Sequence, residues 1–143
     1  VGGLIGTATQ KKDGLLSKSY AVTRIVNNAS SGKYYLFKLS SIRYTAFRII
    51  ATTDDGRFII CVVCQSGYAN NPFKCAIIKK HSNFTGTVKF YRKSESTDIY
   101  IQLFTGSNST SMWIEKIVDV DNTEIQIEES SESVDSLIEV VAE

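Results

Sequence analysis

The 143 residues suffice for one domain with a buried core, and 43% hydrophobic with 22% charged residues is ordinary for a globular protein. No run of about 18 apolar residues occurs, which excludes a membrane-spanning helix. The net charge of +1 conceals an asymmetry, because residues 119–143 hold nine acidic residues and no Lys or Arg, whereas residues 1–118 hold all 16 basic ones. Such an acidic end either docks on a basic surface or extends into solvent as a tail.

The predicted elements are strands throughout, because successive segments are rich in β-branched and aromatic residues. In chain order they cover residues 33–40, 44–52, 57–65, 74–80, 86–93, 97–105, 111–119 and 123–128. Asp54-Asp55-Gly56 is typical of a hairpin turn, the stretch 28–32 precedes the first strand as a turn, and Pro72 lies in a loop. This spacing predicts an antiparallel β-sandwich, jelly-roll-like in connectivity.

The two ends of the chain differ from this regular middle. Residues 1–20 are rich in Gly, Thr and Lys without periodicity, and we expect an extended N-terminal arm. The sandwich is assigned to residues 21–128, and residues 129–143 form an acidic C-terminal segment. Within that segment, residues 137–142 read as an edge strand or a short helix, and their β-branched side chains favour the strand.

Alternation along two strands separates the predicted core from a mixed face. The side chains expected in the core are Ile99, Ile101, Leu103, Met112, Ile114 and Val118. Tyr100, Phe104 and Trp113 point to the opposite side of their strands. Aromatic residues there predict a subunit interface or a ligand platform, and their mid-strand positions favour the interface. Scattered surface aromatics would also account for them.

The three cysteines do not form a recognisable metal or disulfide framework. Cys61 and Cys64 have C-x-x-C spacing within an apolar run, but residues three apart on a strand point to opposite faces. We therefore expect buried reduced thiols, with no metal and no cofactor, and leave open whether Cys64 pairs with Cys75.

Residues suited to catalysis are sparse. His81 is the only histidine and is expected in an exposed loop. Glycoside hydrolysis requires two carboxylates a few ångströms apart, and Asp98 and Glu115 lie on predicted strands that could bring them together. Solvent-facing strand charges are the simpler interpretation, and the sequence predicts no enzyme.

Two basic segments with interleaved aromatics, 33–38 and 89–93, suggest a second class of function. A basic sheet with stacking aromatics can bind single-stranded nucleic acid. The basic residues are spread over many strands, however, and the acidic end would compete for them. We therefore expect solvated strand faces and no nucleic-acid partner.

The loop at residues 65–73 is the best candidate for ligand contact in the sequence. It carries Tyr68 beside Asn70 and Asn71, and an aromatic face next to amide groups suits a sugar. Phe73, at the end of this loop, is expected in the core. Trp113 completes the candidate binding residues, although a core or interface position is favoured over ligand contact for it.

The segment Ala8-Thr-Gln-Lys-Lys-Asp-Gly-Leu-Leu-Ser-Lys18 resembles a junction in bacteriophage tail-fibre and baseplate proteins that leads into a distal module. The β-rich sequence that follows is similar to those modules in style, for example at residues 34–39 and 98–109. The resemblance implies a virion tail component, usually a homotrimer, whose fibre tip recognises a bacterial surface polysaccharide or outer-membrane protein without inserting into the membrane. It transfers no binding residues, and a purely structural trimeric module is the alternative.

Overall fold

The computed structural model describes residues 22–40, 44–65, 72–119 and 126–143, with 117–119 described by their backbone only. Ten strands form there: β1 Val22–Ala29, β2 Tyr34–Ser40, β3 Thr45–Thr53, β4 Phe58–Gln65, β5 Lys74–Lys80, β6 Thr87–Arg92, β7 Ile99–Phe104, β8 Thr110–Asp119, β9 Gln126–Glu129 and β10 Ile138–Val140. A short 3-10 turn at Val134–Ser136 precedes β10. The predicted all-β class is confirmed. The N-terminal arm predicted at residues 1–20 lies outside the described residues.

The strands form two antiparallel sheets that pack face to face, which confirms the predicted sandwich. The first sheet has the order β1-β8-β3-β4-β5, and the second has the order β10-β6-β7-β2-β9. Sequence neighbours β3, β4 and β5 lie side by side in one sheet, and β6 and β7 do so in the other. This order does not establish the jelly-roll connectivity that we expected.

The core lies between the sheets and follows the two-residue period of the strands. In β3, for example, Phe47, Ile49 and Ala51 are fully buried while the residues between them are partly exposed. The predicted core residues whose side chains the structure describes are all buried: Ile99, Ile101, Leu103, Met112 and Ile114. The side chain of Val118 lies outside the described part.

Strand boundaries agree with the sequence except at the start of the sandwich. Strands β2 to β8 begin and end within two residues of their predicted bounds. β1 was not predicted, and Asn28, expected in a turn, belongs to it. The reason is that β1 is an edge strand with two register irregularities, and Val26 is its only buried residue. Its sequence therefore shows no clear alternation.

The C-terminal segment closes one open side of the sandwich. β10 pairs with β6, with Val140 opposite Phe90, so residues 137–142 contain a strand as favoured from the sequence. Beyond β10, Glu143 N donates to Cys75 O (3.0 Å), and the carbonyl of Glu143 accepts from Ile77 N (3.3 Å) on β5. The last residues thus connect the edge of the second sheet to the edge of the first. The described residues include no helix with the length and hydrophobicity needed to cross a bilayer.

Candidate functional site

The binding residues predicted from sequence are only partly placed by the structure. Tyr68, Asn70 and Asn71 lie outside the described residues. Phe73 is 2% exposed and meets the ring of Phe90 edge-on at 6.4 Å, which confirms its expected core position. Trp113 lies half-buried on the outer face of the first sheet, one row from its edge. Trp113 is therefore not a core residue, and its role in binding stays a prediction.

One end of the sandwich gathers four turns that the structure describes completely. These turns, called the turn end below, are residues 30–33, 54–57, 81–86 and 105–109. Hydrogen bonds connect them: Gly32 N to Gly106 O (2.8 Å), Asp54 N to Ser109 O (3.0 Å), Arg57 Nη1 to Asn83 O (3.1 Å) and Ser107 N to Thr85 Oγ1 (2.9 Å). Loops tied together in this way are pre-organised for recognition.

An exposed aromatic pair lies on the outer face of the second sheet beside the turn end. Tyr34 opens β2 and lies opposite Phe104, the last residue of β7. Their rings stack with centroids 4.5 Å apart and an interplanar angle of 27°. Tyr34 is nevertheless 66% exposed, so one of its ring faces remains available. We call Tyr34 and Phe104 the aromatic platform.

Buried hydrogen bonds fix the position of this platform. Thr105 follows Phe104 and is fully buried. Its Oγ1 accepts from Lys33 N (2.9 Å) and donates to Ser30 O (2.8 Å), which holds the start of β2 against the end of β7. Removing such a buried hydroxyl would leave two backbone groups without a partner. The stacking geometry therefore follows from the turn end and does not depend on the rings alone.

Polar side chains on β6 and β7 lie next to the platform on the same face of the sheet. Thr87 on β6 lies opposite Phe104, and two residues along the strand Lys89 lies opposite Gln102. Tyr91 Oη donates to Gln102 Oε1 (3.4 Å), which orients the amide and leaves its NH2 group to donate. An exposed ring, an amide, a hydroxyl and an ammonium group thus share one face of the sheet.

The remainder of this face is covered by the chain itself. Leu36, Tyr91 and Tyr100 form a small second core that Val134 and Leu137 of the C-terminal segment cover. Burial raises the pKa of Tyr100. The expectation that Tyr100 contacts a subunit or ligand is therefore wrong, because Tyr100 is fully buried within its own chain.

An ion pair holds the acidic C-terminal segment on this basic sheet, and a weaker contact lies just before the segment, on β9. Glu132 pairs with Lys93, and Glu128 lies 4.0 Å from Lys38. The hydrogen bond from Lys93 lowers the pKa of Glu132, and the same bond raises the pKa of Lys93. The two basic segments of the sequence thus both lie on the second sheet, with β7 between them, and part of their surface is already occupied by the chain's own carboxylates.

The two carboxylates considered for glycoside hydrolysis are not brought together. Asp98 lies 3.7 Å from Lys38 beside the second sheet, whereas Glu115 accepts from Arg48 Nη2 at 2.6 Å on the first sheet. His81 lies in the turn end, where its Nδ1 accepts from Asn83 N (3.2 Å) and its ring meets Phe58 edge-on. These groups serve local structure.

The expectation of buried thiols holds for Cys61 and Cys75 and is wrong for Cys64, because Cys64 points to the outer face of its strand. Cys61 is buried and Cys64 is exposed, on opposite faces of β4, and Cys75 is buried on β5; all three are free thiols. Burial raises the pKa of Cys61 to about 12 and that of Cys75 to about 11, so both stay protonated at neutral pH. Within the described residues, no group of three or more His, Cys, Asp or Glu side chains is arranged to hold a metal ion.

The sequence indicated half of the aromatic platform. Phe104 was recognised as part of a mixed strand face, but nothing in the sequence paired it with Tyr34. That pairing depends on β2 lying next to β7, and 58 residues separate the last residue of β2 from the first residue of β7. Comparison with protein-family models, curated proteins and solved structures finds no match to this chain.

Proposed function

We propose that this chain is a non-catalytic receptor-binding module of a phage tail fibre, carried at the fibre tip, that recognises a bacterial cell-surface glycan through the aromatic platform. The observation that carries the proposal is the stacked, exposed pair Tyr34 and Phe104. The link to a tail fibre rests on the junction-like segment at residues 8–18. Tyr68, Asn70 and Asn71 remain predicted binding residues of a separate loop, and they lie outside the described residues.

The chemistry of the platform suits a sugar ring. The CH groups of a pyranose pack on the free face of Tyr34, because aromatic rings attract such partly positive edges. Gln102 can donate and accept hydrogen bonds with hydroxyl groups, and Thr87 can do the same. A single site of this kind binds weakly, but three copies in a homotrimer would gain avidity from a repetitive polysaccharide.

The test is binding of the domain to a panel of purified bacterial surface polysaccharides, measured by titration calorimetry with and without Tyr34→Ala. We expect the substitution to weaken binding about tenfold, since it removes the stacking surface. Tyr44→Ala is the matched control, because Tyr44 is also exposed but lies at the start of β3, at the opposite end of the sandwich. Equal affinity of the Tyr34 variant and the unchanged protein would refute the proposal.

A purely structural module is the second candidate, and a separate observation favours it. Outward-facing side chains of the first sheet form an apolar row across β8, β3 and β4, and the ion pair of Arg48 with Glu115 lies in the next row. Trp113 lies opposite Ile50, Ile50 lies opposite Ile60, and Val62 is in the adjacent row. All four are partly exposed. A structural module would self-associate through this surface and bind none of the polysaccharides.

A further inference from the structure

A cleft opens next to the aromatic platform, at the edge of the second sheet. It measures about 240 Å³ and lies between β5, β6 and the C-terminal strand β10. Thr87 and Lys89 belong both to this cleft and to the surroundings of the platform. The two features therefore form one continuous surface, because they share residues on β6.

The cleft combines apolar walls with unpaired positive charge. Ile77 and Val141 line it and are 41% and 74% exposed, so their apolar surface is accessible in the cleft. Lys80 and Lys89 line it as well, and within the described part of the chain neither ammonium group has an ion-pair partner. Glu139 is the single acidic residue in the lining. The cleft thus carries a net positive charge.

We infer that this cleft accepts the anionic substituent, a carboxylate or a phosphate, of an acidic saccharide whose neighbouring sugar stacks on Tyr34. The inference rests on the proposed function and names its ligand class. Lysine ammonium groups on flexible side chains bind such anions as point charges. The apolar walls suit the CH surface of the sugar ring that carries the substituent. The negative charge of Glu139 opposes the anion and limits affinity.

The experiment compares three saccharides of matched length: a polyuronate oligomer, a phosphorylated oligosaccharide and a neutral oligosaccharide. We expect the Lys80→Gln variant to bind the acidic ligands several-fold more weakly at low salt and the neutral ligand unchanged, because Lys80 lines the cleft and is not part of the platform surroundings. Glu139→Gln should strengthen acidic-ligand binding a few-fold, because it removes the opposing charge. The acidic ligand whose affinity falls in the lysine variant identifies the substituent as a carboxylate or a phosphate.

The outcomes separate this inference from the proposed function. Weaker binding of every saccharide by Tyr34→Ala, together with unchanged acidic-ligand binding by the lysine variant, would support the proposed platform and overturn the anion site. Weaker acidic-ligand binding by Glu139→Gln would also overturn it. A single-stranded oligonucleotide is included as a further anion, and preferential binding of it over every saccharide would overturn the assignment to a saccharide.

Discussion

Gly106 lies where the turn after β7 passes over the loop that leads into β6. Its backbone has a φ of +70°, which residues other than glycine rarely adopt. A Cβ built on it would lie 2.6 Å from Gly86 N and 2.7 Å from the carbonyl carbon of Thr85. The same residue accepts the hydrogen bond from Gly32 N. Close approach of two backbones at this residue therefore helps to position Tyr34 beside Phe104.

Replacing Gly106 by Ala should lower the free energy of unfolding by about 3 kcal/mol, because the positive φ and the backbone overlap both oppose a side chain. Gly56→Ala is the matched control, since Gly56 has a φ of +88° but a Cβ added there would meet no atom within 4 Å. It should cost about 1 kcal/mol. Equilibrium urea unfolding measures both. Equal losses of unfolding free energy in the two variants would show that the turn end does not depend on the close approach of Gly106 to Thr85 and Gly86.

At the level of elements, the sequence predicted most of the sandwich because most strands bury one face. Strands β3, β4 and β8 alternate between buried and more exposed residues, and alternation is visible without knowing the neighbours. β1 escaped prediction because its only buried side chain is Val26. The burial of Lys116 was not predicted, because a charged residue on the inner face of β8 departs from the alternation of apolar and polar residues. In the structure, Lys116 is buried beside a register irregularity between β3 and β8. The aromatic platform was not predicted because its two residues lie on β2 and β7, which are distant in sequence.

The C-terminal segment shows a further limit of sequence patterns. Its charge suggested docking on a basic surface, but its partners could not be predicted. In the structure, Val134 and Leu137 cover the apolar groups Leu36 and Tyr100, and Glu132 binds Lys93. Only the combination of apolar contacts with an ion pair explains why an acidic segment lies on this particular face and leaves the platform open.

Acid should loosen this segment before the sandwich unfolds. The pKa of Glu132 is lowered by its bond to Lys93, so the contribution of the pair is present above the ordinary carboxyl pKa of 4.5 and is lost as pH falls through the lowered value. Hydrogen exchange corrected for intrinsic rates should show faster exchange of the Leu137 amide at about pH 3 than at about pH 6.

In the Glu132→Gln variant, the Leu137 amide should exchange at about pH 6 as fast as it does in the unchanged protein at about pH 3. The reason is that the neutral glutamine side chain cannot form the ion pair with Lys93. Glu128→Gln serves as control, since Glu128 lies 4.0 Å from Lys38 with its side chain 68% exposed. A Leu137 amide whose corrected exchange is the same at both pH values in the unchanged protein would contradict the assigned role of the pair.

For the whole molecule, we assign ligand binding to the outer face of the second sheet and self-association to the outer face of the first sheet. The second sheet carries the platform and is otherwise covered by the C-terminal segment, whereas the first sheet presents Trp113, Ile50 and Ile60 with partial exposure. Association through the first sheet would leave the platform of each subunit free. One chain can thus assemble through one face and bind through the other, and this arrangement suits a fibre tip that gains affinity from several weak sites.

We therefore predict that the domain self-associates through the first sheet, with a mass in light scattering near three times the 15.9 kDa of one chain. Trp113→Glu should give a monomer that remains folded, because a charge introduced into the apolar row must be desolvated on association. Val141→Glu is the control, since Val141 is exposed at the other side of the sandwich and its variant should keep the mass of the unchanged protein. A monomeric unchanged protein would contradict the assembly, and Trp113 would then have to be tested as a second stacking residue for the ligand.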